Sequence, residues 1–205
     1  MALAGPPVFV VVTDRLFGTI PGLMTQVLLQ LVYVALAGLL LLAIVGVEQL
    51  PLTSIGWRRP DAATLVSAAA VVAVSLYLLP IVTAPLVRLA GSEGLDAGIA
   101  RLSAMPPWFL VVVGATGGAV EELCYRGYAI ERLAAITGRR WLAGVLAVLA
   151  FALAHIPAWG VPFALAADLP FGILMTIFYL WRRDLPANML AHASVLVVQL
   201  LTAVP

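Results

Sequence analysis

Residues 23–47 form the run LMTQVLLQLVYVALAGLLLLAIVGV, which contains no charged side chain. A helix needs about 20 apolar residues to cross the hydrocarbon core of a bilayer, so this run is long enough to span it. Backbone groups in lipid must find their hydrogen-bond partners within the protein, and a helix satisfies them within one segment. The run therefore predicts a transmembrane α-helix and sets the fold class of the chain.

The composition of the whole chain agrees with a membrane protein. Of its 205 residues, 63% are hydrophobic and 10% are charged, whereas a soluble domain carries about 25% charged residues. Every basic residue is arginine, and no dense basic patch exists, which argues against a nucleic-acid partner. Cys124 is the single cysteine, so an intrachain disulfide and a cysteine-based metal cluster are excluded.

Apolar runs recur along the chain between short connectors rich in turn-forming and arginine residues. They predict an all-α, polytopic transmembrane helix bundle of about six to eight membrane helices, in a single integral membrane domain over residues 1–205. The six clearest spans are Leu23–Val47, Ala62–Leu86, Pro107–Ala129, Trp141–Ile156, Val161–Leu180 and Pro186–Ala203.

The segments outside these spans have characters of their own. Leu95–Leu102 is mixed in polarity and predicts a short amphipathic helix on the membrane surface. The sequence Thr137–Arg140 (TGRR) predicts a helix stop at its glycine. The N-terminal Met1–Val12 lacks the basic n-region of a cleaved signal peptide, and Pro7–Ile20 is a candidate re-entrant piece.

Arginine distribution predicts the orientation of the chain. With six spans, eight of the eleven arginines fall on one side, and the positive-inside rule places that side in the cytoplasm of a multi-pass protein of the cell membrane. Both termini then face outward. The eight are Arg58, Arg59, Arg126, Arg132, Arg139, Arg140, Arg182 and Arg183.

A pair of glutamates closes the third apolar span. On a helix, Glu122 and Arg126 are four residues apart and can pair, while Glu121 points about 100° away and stays unpaired. One carboxylate is then held ionised, and the other is available as a general base. Gly114 and Gly118 lie on the Glu122 face and predict a close helix approach. From the residues alone, a solvated helix end is an equally good interpretation.

Both histidines of the chain also lie in apolar spans. His155 follows Phe151 in FALAH, where a core histidine bonded to a backbone carbonyl is the simpler interpretation. His192 follows Asn188 by one helical turn, and Asn188 either orients its ring or joins two helices. Asp168, before Pro170, is interpreted as a helix N-cap, with a substrate-facing group as the alternative. Two histidines and a glutamate suffice to activate a water, with or without a metal.

The ordered motifs resemble those of the CPBP family, the CAAX-prenyl-protease-like and bacteriocin-processing or Abi membrane proteins. The resemblance covers Pro106–Val204, the expected catalytic core. It consists of Glu-Glu-x-x-x-Arg, Phe-x-x-x-His and a histidine in the last span, carried by Glu121, Glu122, Arg126, Phe151, His155 and His192.

The resemblance implies an intramembrane endopeptidase that acts on a peptide or a prenylated protein in the lipid bilayer. Glu121 would activate water, and His155 and His192 would stabilise the oxyanion or hold a divalent metal such as zinc. Glu122 and Arg126 would brace the site, with Asn188 in support.

Three further considerations qualify this expectation. Leu196 stands where the family usually has Asn or Asp, four residues after His192, which leaves open a catalytically inactive immunity or scaffolding protein. A proton-coupled carrier is disfavoured because no internal repeat is visible. Helical rise places His155 about 20 Å deep and His192 about 10 Å deep. We expect the Glu121 helix to continue through Tyr128–Ile136 so that the three side chains meet.

Overall fold

The computed structural model describes residues 22–91 and 95–203, apart from the side chains of residues 97 and 101. Within these ranges all regular structure is helical, which confirms the predicted all-α polytopic bundle. The interpretations of Met1–Val12 and Pro7–Ile20 lie outside the described residues. The helices are α1 (Leu23–Val47), α2 (Ala62–Ala90), α3 (Leu95–Ser103), α4 (Pro107–Thr137), α5 (Arg140–Phe163), α6 (Leu169–Arg182) and α7 (Leu185–Ala203).

Five helical stretches in the described part are long and apolar enough to cross a membrane, and the chain is an integral membrane protein. The stretch Arg140–Arg182 holds 43 residues, which is about twice the length that one crossing needs. It bends at Gly160, whose φ of 81° and ψ of 161° are not helical. Gly144 then faces Thr176 and Leu180, so α5 and α6 form an antiparallel hairpin. This hairpin accounts for the fourth and fifth predicted spans.

Helix α4 is longer than the predicted third span because it does not stop after the glutamate pair. It widens into π-helical turns over Glu122–Ile130 and continues as α-helix to Thr137. Gly138 ends it in the left-handed region, with φ of 69°, as the TGRR sequence predicts. The expected continuation through Tyr128–Ile136 is therefore confirmed. A short helix is also present where the amphipathic surface helix was predicted, as α3, and its place on the membrane surface stays a prediction.

Helices α4 and α7 cross at backbone contact. A Cβ atom at Gly114 would lie 2.8 Å from the backbone nitrogen of Val197, and one at Gly118 would lie 2.6 Å from Cα of Ala193. The close approach predicted from the two glycines is confirmed. Small residues at such a crossing let two helices pack by dispersion without the help of a hydrophobic effect.

A cluster of ion pairs holds together the end of the bundle that carries most arginines. Glu131 accepts hydrogen bonds from Arg183 at 2.9 and 3.0 Å and from the Tyr179 hydroxyl at 3.1 Å. Glu48 accepts one from Arg132 at 2.8 Å, and this bond lowers the pKa of the Glu48 carboxyl. These contacts tie the ends of α1, α4 and α6 to one another. We call this region the arginine end.

Helix α7 begins inside the protein rather than at its surface. Asp184 caps it by accepting from the backbone N–H of Ala187 at 3.2 Å, and it also accepts from the hydroxyl of Thr64 at 2.7 Å. Leu185 is fully buried, and its N–H donates to the carbonyl of Gly56 at 2.9 Å. The loop before α2 therefore covers the first turn of α7.

Replacement of Gly118 by alanine should destabilise the fold, because the added methyl would press on the backbone of α7. We expect a loss of about 1–3 kcal/mol, as for other overpacked interiors. Gly38→Ala is the matched control, since a Cβ there meets nothing within 4 Å. Thermal unfolding of both variants in one detergent measures the difference. An unchanged Gly118→Ala would contradict the backbone contact.

Candidate active site

Three helices deliver the polar groups of the candidate site. The glutamates come from the junction where α4 widens into π-helical turns, His155 comes from α5 and His192 from α7. π-Helical turns are frequent at functional sites because they displace side chains from the regular helical register. The predicted site residues are thus brought together in the interior of the bundle.

Glu122 is the centre of a buried hydrogen-bond network. Its carboxylate accepts from Nη1 of Arg126 at 2.8 Å, from Nδ2 of Asn188 at 3.1 Å and from Nδ1 of His192 at 2.7 Å. Glu122, Arg126 and Asn188 are fully buried. Charge-assisted bonds of this kind are the strong ones in a dry interior. The network fixes the middle of α4 against the first half of α7.

Arg126 is satisfied from a second side by α5 and α6. Its Nη2 donates to the carbonyl of Gly172 at 3.2 Å, and its guanidinium lies 4.4 Å from the ring centroid of Phe151. A Cβ atom at Gly172 would lie 2.9 Å from the Phe151 ring, so glycine lets α6 come close to α5 here. Arg126 thereby contacts the three-helix core that surrounds the glutamates.

Glu121 faces both imidazoles without bonding to either. Its Oε2 lies 3.8 Å from Nε2 of His155 and 3.7 Å from Nε2 of His192. Among the described residues this buried oxygen has no hydrogen-bond partner. Both separations exceed direct hydrogen-bonding distance, and such gaps accommodate a bridging water. The predicted pairing is confirmed: Arg126 bonds Glu122 and not Glu121, while the roles of the two carboxylates stay a prediction.

The hydrogen bond made by Nδ1 of each imidazole determines which tautomer the ring adopts. Nδ1 of His155 donates to the carbonyl of Phe151 at 2.8 Å, and Nδ1 of His192 donates to Glu122. Both acceptors only accept, so in the neutral rings the free lone pair lies on Nε2. Both Nε2 atoms therefore present a lone pair or, when protonated, an N–H toward Glu121. His155 therefore fits both interpretations: its Nδ1 bonds a backbone carbonyl, and its Nε2 faces Glu121.

Aromatic rings enclose the two imidazoles. Phe151 lies 4.4 Å from the His155 ring and 6.1 Å from the His192 ring, and Phe171 lies 4.8 Å from the latter. These apolar walls lower the local dielectric constant and strengthen the interactions among the charged groups. Phe151 was predicted from its motif, whereas Phe171 carried no signal that distinguishes it from other apolar residues.

Of the two interpretations of Asn188, the contact between helices is confirmed: its amide donates to Glu122 and, at 2.9 Å, to the carbonyl of Met175, and it does not bond the ring of His192. Residues four apart on α7 share one face, and here both meet the same carboxylate. Asp168 does not cap a helix, because its backbone is helical and its side chain makes no capping bond. It lies within electrostatic reach of His155 and Glu121 instead.

The depth mismatch between the histidines is resolved by two features. The continuation of α4 was predicted, but the buried start of α7 was not. Because Leu185 already lies against Gly127, seven residues of α7 suffice to bring His192 to the glutamates. Leu196 lies in the contact between α4 and α7, because a Cβ atom added at Gly117 would lie 3.6 Å from its Cδ1.

The donor types of the site are those that a catalytic zinc uses. The donor atoms of this site are spaced more widely than the ligands of a zinc ion. Within residues 22–91 and 95–203, no group of three or more His, Cys, Asp or Glu side chains is arranged to hold a metal. The proposed zinc ligands His155 and His192 therefore stay a prediction, and no chemical step is routed through a metal.

The two glutamates should respond differently to neutralisation. Glu122→Gln leaves the Arg126 charge buried without its counter-ion, and we expect a loss of about 3–5 kcal/mol. Glu121→Gln removes a charge that has no direct hydrogen-bond partner and faces two imidazoles at 3.7 and 3.8 Å, so we expect a smaller effect on stability than for Glu122→Gln. Thermal unfolding of the two isosteric variants tests this. Equal destabilisation would show that Glu121 has a structural partner.

Comparison with known proteins supports the assignment reached from the motifs. Residues 103–198 match the family model described as type II CAAX prenyl endopeptidase Rce1-like. The comparisons with curated proteins and with solved structures give no significant match. The matched segment contains α4 to α6 and the part of α7 that carries His192. Over this segment, the chain is similar to the Rce1-like type II CAAX prenyl endopeptidases, which supports the resemblance that the motifs indicate.

Proposed function

We propose that the protein is an intramembrane endopeptidase that hydrolyses a peptide bond by means of a water activated by Glu121. One observation carries the proposal: Oε2 of Glu121 lies 3.7 and 3.8 Å from the Nε2 atoms of two histidines that belong to different helices. A carboxylate without a partner of its own, opposite two imidazoles, is a suitable environment for a general base.

The proposed reaction begins with a water that hydrogen-bonds Glu121. Its oxygen attacks the carbonyl carbon of the scissile peptide, a C–O bond forms, and Glu121 accepts the proton. The carbonyl electron pair moves to the oxygen, where Nε2–H groups of protonated His155 and His192 stabilise the negative charge. The C–N bond then breaks, and the proton passes from Glu121 to the leaving amine nitrogen.

Glu122, Arg126 and Asn188 have a supporting role in this scheme. Glu122 bonds Nδ1 of His192 and so fixes both the ring orientation and the nitrogen that faces the reacting water. Arg126 and Asn188 bond the remaining lone pairs of Glu122. Positions held by such a network need no reorganisation during the reaction, which is the basis of electrostatic catalysis.

Access to the site follows from the exposure of its members. The side chains of Glu121 and His155 are 16% and 17% exposed, whereas that of His192 is 2% exposed. Substrate and water therefore approach past Glu121 and His155. A cavity that opens to the cytoplasm and a location in the cell membrane, both expected from the arginine distribution, stay predictions.

The substrate class proposed is a peptide or a prenylated protein embedded in or attached to the bilayer. The family match supports a CAAX-type peptidase. The arrangement of three separate helices around one carboxylate favours hydrolysis over the inactive alternative.

Glu121→Gln should abolish hydrolysis and keep the fold, because the amide cannot accept the proton of the water. We expect a fall in kcat of at least 10²-fold, as for loss of a general base. The assay uses purified protein in proteoliposomes with an internally quenched peptide that ends in a farnesylated CAAX sequence, and the unprenylated peptide in parallel. Glu48→Gln, at the arginine end, is the control that keeps activity.

Two outcomes would contradict the proposal. One is retention of cleavage by Glu121→Gln at the wild-type rate. The other is failure of the wild-type protein to cleave either peptide while it remains folded and monodisperse.

The metal prediction is tested separately. If His155 and His192 hold zinc, elemental analysis of the purified protein should find about one zinc per chain, and the double variant His155→Ala, His192→Ala should lose it. A metal-free wild-type protein with full activity would remove zinc from the scheme and leave the Glu121 step intact.

A further inference from the structure

Tyr125 carries a buried hydroxyl that the scheme above does not use. Its side chain is fully buried, and its hydroxyl has no hydrogen-bond partner among the described residues. Buried hydroxyls are nearly always bonded, because an unpaired one costs the full desolvation of the group. The ring itself could pack equally well as phenylalanine, so the hydroxyl needs an explanation other than packing.

The position of Tyr125 on α4 directs it toward the candidate site. It lies four residues after Glu121, as Arg126 lies four residues after Glu122, and the latter two meet at 2.8 Å. Side chains four apart therefore share a face in this segment of the helix. Tyr125 also lies within electrostatic reach of Glu121 and Arg126.

Packing against Phe151 gives the tyrosine ring and the two histidine rings one common neighbour. The Tyr125 ring meets the Phe151 ring edge to face, with centroids 5.4 Å apart and planes at 90°. The same Phe151 ring contacts His155 and His192. One aromatic side chain thus borders all three polar rings, and Glu121 lies between the two imidazoles.

Two of the buried polar atoms that lack a partner have complementary chemistry and lie one turn apart on α4. Oε2 of Glu121 is an acceptor without a partner, and the hydroxyl of Tyr125 is a donor without a partner, within the part of the chain that the structure describes. A peptide carbonyl that turns into an oxyanion beside Glu121 supplies an acceptor for that donor. An oxyanion hole consists of such donors, which are already in place before the charge develops.

We infer that Tyr125 is a catalytic residue whose hydroxyl donates a hydrogen bond to the oxyanion formed next to Glu121. The inference rests on the proposed peptidase function and adds a neutral donor to the two imidazoles. The hydroxyl keeps its proton throughout, so the transfer of the water proton to Glu121 and then to the leaving amine is unchanged. Leu196 stands on α7 where the family usually has a polar side chain, and Tyr125 provides a polar group from α4.

The test is Tyr125→Phe, which deletes one oxygen atom and keeps the ring. We expect kcat for the farnesylated CAAX peptide to fall by about 10²-fold, the usual effect of losing one oxyanion donor. KM should stay within about twofold, because the donor acts on charge that appears only in the transition state. The unfolding temperature should stay the same or rise, since the deleted hydroxyl has no partner in the resting fold.

Two other tyrosines serve as matched controls. Tyr179→Phe deletes a hydroxyl that donates to the carbonyl of Ile55 at 3.0 Å and to Glu131; it should lower the unfolding temperature and keep kcat. Tyr77→Phe changes a side chain on the exposed surface and should alter neither quantity.

Each outcome for Tyr125→Phe decides the inference. A selective loss of kcat supports it. Wild-type kcat overturns it, and so does a lowered unfolding temperature, because a resting partner would make the hydroxyl structural. Glu121→Gln in the same assay separates the role of Tyr125 from the proposed peptidase function. If Glu121→Gln is inactive while Tyr125→Phe is fully active, only the role of Tyr125 fails.

Discussion

The buried pair of Glu122 and Arg126 is the interaction on which the site depends. A carboxylate and a guanidinium removed from water are expensive, and further hydrogen bonds offset part of the cost. Here Asn188 and His192 also bond Glu122, and the carbonyl of Gly172 and the face of Phe151 contact Arg126, whose Nε has no partner among the described residues. The pair cannot be satisfied by one helix. It therefore brings α4, α5, α6 and α7 to a common point.

Asymmetry between two adjacent glutamates is a consequence of the same pair. Arg126 and His192 donate hydrogen bonds to Glu122. Glu121 receives no such bond from either of them, although the two glutamates are neighbours in sequence. One carboxylate organises the protein, and the other remains free for chemistry. Pairs of identical groups that behave differently because their surroundings differ recur in active sites that combine an acid or a base with a fixed charge.

Much of this architecture could be predicted from the sequence because its causes are local. The spans follow from uncharged runs such as 23–47, the Glu122–Arg126 pair from helical spacing, and the close crossing from Gly114 and Gly118. The convergence of His155 and His192 was predicted only as a requirement of the motifs. What escaped prediction depends on tertiary contacts: the buried start of α7 beneath Gly56, and the bonding of Asn188 to Glu122 rather than to His192. Tyr125 also gave no periodic signal, since a buried polar atom is recognised only when its surroundings are known.

The contact of α4 and α7 at Gly114 and Gly118 has a consequence for the protein in membranes of different thickness. Helices that touch through their backbones cannot slide by one residue without placing a side chain where only glycine fits. A thinner or thicker bilayer is therefore accommodated by a change in the tilt of the two helices together rather than by a change in their register. The separation of Glu121 from His192 is set by that register, so it should be insensitive to the acyl-chain length of the surrounding lipids.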